Sequence, residues 1–124
     1  MSINIKSIAQ KATTLCKLME GREKGETADL IESDKIYTVD GAEYCTISNE
    51  NGSESVWVYT LKEEKKKFYF AGHVLKNIFN AILQECEGDY EEVSKLVEEQ
   101  GFQVLFDEQK TRDGRRTYTT VTVY

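Results

Sequence analysis

Lys110, Arg112, Arg115 and Arg116 fall within seven residues, with Asp113 as the single acid among them. Guanidinium groups this close repel one another unless something anionic arrives between them. Their planar fork matches the oxygens of a phosphate. A second basic stretch, Lys62, Lys65, Lys66 and Lys67, is tempered by Glu63 and Glu64. Just upstream stand three large rings, Tyr44, Trp57 and Tyr59. Flat π-faces for stacking, beside cations that track phosphates, are what a single nucleic-acid strand needs. Each group also has a plainer reading: basic turns are often solvated charge, and large rings often fill a core.

Other chemistries find less support. His73 follows Gly72 at an expected helix start without a neighbouring Ser or Cys, so it reads as a surface or capping residue. Cys16, Cys45 and Cys86 are spaced too widely for a zinc site or a redox dithiol. They read as buried free thiols of a reducing cytoplasm. Glu108-Gln109-Lys110 has the acidic-x-Lys spacing of metal-dependent nucleases, but three such spacings occur in the chain. Composition alone produces about two, so no catalytic or metal-binding residue is assigned. With no Gly-rich phosphate loop, zinc signature or hydrolase triad, the expectation is a non-enzyme without cofactor or metal.

The elements that must position these residues come from a chain of 124, read as a single domain over residues 1–124. At 40% hydrophobic and 31% charged it is too apolar for a disordered tail. No apolar run approaches the roughly 18 residues of a membrane span. Lys6 and Lys11 break up the apolar N-terminal residues, which argues against a secretory signal and for a cytoplasmic location. Proline is absent, which excludes polyproline ligands. Residues 85–99 hold seven acids against Lys95 alone, a balance of −6 that equals the net charge of the whole chain. The acidity is therefore local, as on a solvated helix face, and it does not exclude an anionic partner elsewhere.

Residues 5–20 have helical apolar spacing, and residues 1–24 read as an N-terminal helix and connector that packs on the domain or joins a second subunit. Strands are expected at 28–32 and 35–39, with a turn at Asp40-Gly41. Asn51-Gly52 favours a two-residue hairpin that sets Tyr44 opposite Tyr59 and Cys45 opposite Val58. One face then carries Tyr44, Thr46, Trp57 and Tyr59; the other carries Cys45, Ile47, Val56 and Val58. Which face is buried stays open. A short strand at 67–70 precedes a wide apolar helical stripe from Val74 to Cys86. Gly88 interrupts it, and Asp89 with Glu92 resembles a capping box that restarts the helix. A second hairpin at Asp113-Gly114 pairs Phe106 with Val121 and Val104 with Val123, leaving Tyr118, Thr120, Thr122 and Tyr124 on the opposite face.

This order fits a β-rich α+β protein: an OB-like five-stranded barrel over residues 25–124, with a helix between strands three and four and an additional N-terminal helix. The alternative is an open antiparallel sheet with helices on one face. Residues 19–24 (MEGREK), 67–72 (KFYFAG) leading into Val74-Leu75, and 111–121 (TRDGRRTYTTV) resemble small phage and prophage proteins similar to OB-fold single-stranded DNA-binding proteins. The resemblance implies binding of single-stranded DNA without strong sequence preference, as an accessory to phage-like replication or recombination. Bacterial single-strand binders commonly end in a long acidic tail; this sequence ends inside an expected strand, so recruitment through such a tail is not expected. The alternative is a protein-interaction module, an acidic DNA mimic or a dimeric adaptor. Its surface would be the N-terminal helix or the acidic segment around Glu91 and Glu98.

Overall fold

The computed structural model describes residues 17–49 and 52–124. After a short 3-10 turn at Lys17–Met19 come β1 (Glu23–Lys24), α1 (Thr27–Ser33), β2 (Ile36–Asn49), β3 (Gly52–Leu61) and β4 (Lys67–Phe70). Then follow α2 (His73–Glu85), α3 (Tyr90–Gln100), β5 (Phe102–Lys110) and β6 (Thr117–Val123). The helix expected at residues 5–20 lies, up to residue 16, outside the described residues, as does its proposed role in joining subunits.

β2 fuses two strands that Asp40-Gly41 was expected to separate. That dipeptide is a β-bulge, with the register against β3 shifting between Val39 and Gly41. The buried Thr60 hydroxyl donates to Asp40 Oδ1 at 2.8 Å. A side chain at Gly41 would meet Thr60 Oγ1 at 2.5 Å, so this approach requires glycine. Bulges bend a strand and tighten its twist. Ile36 to Val39 pair with β5, and β2 pairs with β3 on its other edge from Val39, across the bulge, to Asn49.

The result is one curled sheet, a half-barrel in the order β1-β4-β3-β2-β5-β6. Six strands among the described residues replace the five expected, and the sheet is mixed because β1 runs parallel to β4. β1 is held by Glu23 N–H donating to the Lys66 carbonyl at 2.9 Å and Gly25 N–H to the Phe68 carbonyl at 2.8 Å. So short a strand has no periodicity to read.

Residues 28–32, expected as a strand, are helical. In α1 only Leu30 is fully buried. Ser33 Oγ donates back to the Leu30 carbonyl at 2.9 Å, and Asp34 ends the helix in the left-handed region at φ 50°. A helix of seven residues is marginal alone, so tertiary packing must hold it. The break between α2 and α3 falls at Glu87 and Gly88, both at positive φ. Asp89 Oδ1 accepts from the backbone N–H of Glu91 at 3.1 Å and of Glu92 at 3.2 Å, which restarts the helix.

α1, α2 and α3 bury onto the same sheet face. Leu30, Leu75, Phe79, Val93 and Val97 share a core with Tyr37, Val39, Trp57, Tyr59, Val104 and Phe106. The opposite face has a smaller cluster of Cys45, Val58 and Phe68 beneath Leu18 and Met19. Cys45 is disulfide-bonded, contrary to the expectation of free thiols; Cys86 is free. No helix among the described residues is long and apolar enough to cross a membrane.

Candidate nucleic-acid interface

The first hairpin forms, but its register differs by two residues from the one expected. Asn49 pairs with Gly52, where the expected turn would have set it opposite Glu54. Tyr44 therefore opposes Trp57, and Cys45 opposes Val56. An even slip preserves side-chain parity, so the two faces keep their expected membership.

The ring face turns inward. Trp57 is 2% exposed and Tyr59 1%, while Tyr44 remains 38% exposed. The indole N–H donates to Asn80 Oδ1 on α2 at 2.9 Å. Its ring lies 5.3 Å from Phe79, 5.1 Å from Tyr44 and 5.8 Å from Tyr90. Tyr44 stacks on Tyr90 of α3 at 4.6 Å. As candidate binding residues Trp57 and Tyr59 are corrected to core, because the apolar stripe of α2 packs against them, and of the three rings Tyr44 alone stays partly exposed. The other face of this hairpin is no freer, since Val58 is fully buried as well.

Burial has a measurable electrostatic consequence. The Tyr59 ring stacks between Tyr69 at 5.4 Å and Phe106 at 6.3 Å. Desolvation raises its phenol well above the ordinary tyrosine value, Tyr69 adds to the rise, and a hydrogen bond with Thr27 opposes it. Tyr69 is pushed up to about 12, first by burial and then by the charges of Glu64, Tyr37 and Asp29. Above pH of about 10 the unfolded chain loses these protons while the folded one keeps them. The unfolded state then binds fewer protons, so stability falls as pH rises through about 10 to 12. Absorbance at 295 nm should show Tyr59 and Tyr69 ionising late, together with loss of the fold. A Tyr59→Phe or Tyr69→Phe variant whose absorbance titration keeps the full late phase of the wild type would contradict this.

The lysine stretch forms the β3–β4 turn. Lys62, Lys65 and Lys66 are exposed and Lys67 is half-buried. Arg22 clamps this turn, its Nε donating to the Lys65 carbonyl at 3.1 Å. Glu63 is occupied locally, accepting from the Thr38 backbone N–H at 2.6 Å.

The arginine tip keeps the expected register but is a longer loop than a two-residue turn, closed by Thr111 N–H on the Arg116 carbonyl at 2.9 Å. Lys110 pairs with Thr117, Phe106 with Val121 and Val104 with Val123, the register expected from Asp113-Gly114. Thr111 Oγ1 donates to Asp113 Oδ1 at 2.6 Å, and the Arg115 backbone N–H donates to the same oxygen at 3.1 Å. The Thr111 hydroxyl, then the Arg115 amide, hold the Asp113 carboxyl below the usual carboxylate value. This acid closes the turn, and the guanidinium groups stay exposed. Arg112, Arg115 and Arg116 surround an open hollow of about 460 Å³ with Thr111 and Asp113.

Beside the tip stands a ring that the sequence reading placed correctly but did not single out. Tyr118 is 48% exposed, and its hydroxyl donates to Gln109 Oε1 at 3.2 Å on the paired strand. Val121 packs toward the helix-side core, so Tyr118, Thr120 and Thr122 alternate onto the opposite face. The exposed acids Glu91, Glu92, Glu98 and Glu99 belong to α3 on the helix side. Tyr118 thus faces away from them.

No protein-family description, curated protein or solved structure matches this chain. Topology relates the two basic turns to each other. Lys62 N–H donates to the Thr38 carbonyl at 2.9 Å, which places the lysine turn near the start of β2. Leu105 pairs with Ile36, and β5 runs on five residues to Lys110. Both turns therefore leave the sheet at the same end, the arginine tip projecting about 16 Å farther at ~3.3 Å per residue. Among the described residues no three His, Cys, Asp or Glu side chains converge as a metal site would need. His73 is exposed at the start of α2.

Proposed function

We propose that the chain binds single-stranded DNA without strong sequence preference, in a phage-like replication or recombination setting. The surface is the arginine tip and the outer face of the β5–β6 hairpin. Lys110, Arg112, Arg115 and Arg116 neutralise phosphates, and Tyr118 offers a ring for a base to stack on. Lys62, Lys65 and Lys66 extend the positive potential at the same end of the sheet. One observation carries the reading: three exposed guanidinium groups share a turn whose single carboxylate is engaged by Thr111 and the Arg115 amide. The half-barrel is compatible with an OB-like fold, in which the loop between the last two strands is one commonly used for oligonucleotides.

Fluorescence anisotropy of end-labelled oligothymidine is the direct test. Binding at low salt should weaken with added salt at a slope of about −0.7 per phosphate neutralised, hence about −3 for the four cations of the tip. A folded protein that leaves the anisotropy unchanged at low salt overturns the proposal.

A further inference from the structure

Among the described residues β6 is an edge strand, paired with β5 alone. Natural edges are usually blunted by charge, proline, a bulge or shortness. Residues 117–124 (TYTTVTVY) contain no charged residue and no proline. The ladder with β5 runs without a register shift over seven pairs. The opposite edge, β1, is only two residues long. Exposed apolar side chains also gather here. Among the described residues Tyr118 is 48% exposed, Val123 51% and Tyr124 60%, more than any other large hydrophobic side chain.

We infer that β6 pairs antiparallel with β6 of a second copy of this chain, joining two half-barrels into one continuous sheet. The inference does not depend on DNA binding. The hydrogen-bond phase of the strand decides the register. Thr111 N–H bonds the Arg116 carbonyl and Tyr124 N–H bonds the Gln103 carbonyl, both at 2.9 Å. Even-numbered residues of β6 therefore turn their backbone groups toward β5. Thr117, Thr119, Val121 and Val123 turn theirs outward. A two-fold axis at Thr120 sets Thr119 against Val121 and Thr117 against Val123 of the other copy, so all the outward groups pair in about eight hydrogen bonds. Tyr118 then lies beside Thr122 of the other copy, and Thr120 faces itself. No like charges meet across the seam. Arg115 and Arg116 precede the paired segment, so the two arginine tips emerge at opposite ends of the joint.

Thr120→Lys tests the axis, because it sets two ammonium groups directly opposite one another at about 4.5 Å between Cα atoms. The wild-type chain should rise from 14.2 kDa toward twice that mass in sedimentation equilibrium as concentration increases. Thr120→Lys and Thr120→Glu should each stay monomeric with unchanged circular dichroism, and an equimolar mixture of the two should regain the doubled mass. Thr119→Pro removes one outward N–H while sparing the β5 ladder, and should also give a monomer. A wild-type chain that stays at monomer mass throughout the series overturns the inference. So does a Thr120→Lys variant that associates as the wild type does.

Discussion

Trp57→Ala should cost about 3–5 kcal/mol, the range for truncating a large buried ring. The indole is 2% exposed and touches Phe79, Tyr44 and Tyr90, so its loss leaves a hole where α2, α3 and the sheet meet. It also removes the donor that satisfies Asn80. Small domains have only about 5–15 kcal/mol of stability in total, so the variant should sit close to unfolding in mild urea. Asn80→Ala should cost about 1 kcal/mol, the net worth of one hydrogen bond. Urea titration followed by circular dichroism measures both. The same burial predicts that Trp57 emission is blue-shifted, resists iodide, and does not change when oligothymidine binds at the arginine tip. Strong quenching by the oligonucleotide would return the indole to the binding surface and contradict the packing described above.

What the sequence revealed depends on how locally each feature is specified. The register of the second hairpin was legible because Asp113-Gly114 sits between strands whose apolar residues match in only one register. The two-residue turn expected there is instead a longer loop, closed by Thr111 N–H on the Arg116 carbonyl. Asn51-Gly52 misled by two residues, yet Tyr44, Trp57 and Tyr59 still share a face because an even slip keeps parity. Which face would be buried was not legible. Cys45 and Val58 are as deeply covered as Trp57 and Tyr59, so neither face carries the polar pattern of a solvated one. Asp40-Gly41 fits a turn and a bulge equally well from sequence, and only the Thr60 hydroxyl across the sheet decides between them. α1 was missed because seven residues are too few for a period of 3.6 to stand out from a strand. The pairings of β1 with β4 and of β2 with β5 are long-range, and no local signal announces them. In the candidate site, the arginine tip was readable as a run of residue types. The importance of Tyr118 became visible only once Trp57 and Tyr59 were seen to be core.

Arg115→Ala combined with Arg116→Ala should weaken oligothymidine binding at low salt by at least about tenfold, or 1.4 kcal/mol. It should also flatten the salt slope by about 1.4, since two phosphate contacts at about 0.7 each are lost. Tyr118→Ala should lower affinity by about 1–3 kcal/mol, the worth of one stacked base, and leave the salt slope unchanged. That contrast separates the two roles: charge acts through counterion release, a ring through contact. Arg115→Lys with Arg116→Lys should fall between wild type and the double alanine, because an ammonium keeps the charge but loses the fork that grips two phosphate oxygens. None of these changes should alter the unfolding free energy from urea titration by more than about 0.5 kcal/mol, because the side chains are exposed and Asp113 is held by Thr111 and the Arg115 amide rather than by a guanidinium. The turn keeps its shape when the arginine side chains are removed, so a drop in affinity reports the loss of contact with DNA. An unchanged affinity and slope in the double alanine variant would remove the tip from the binding surface. Lys65→Ala with Lys66→Ala would then be the informative pair, because that turn is the other basic feature at this end of the sheet.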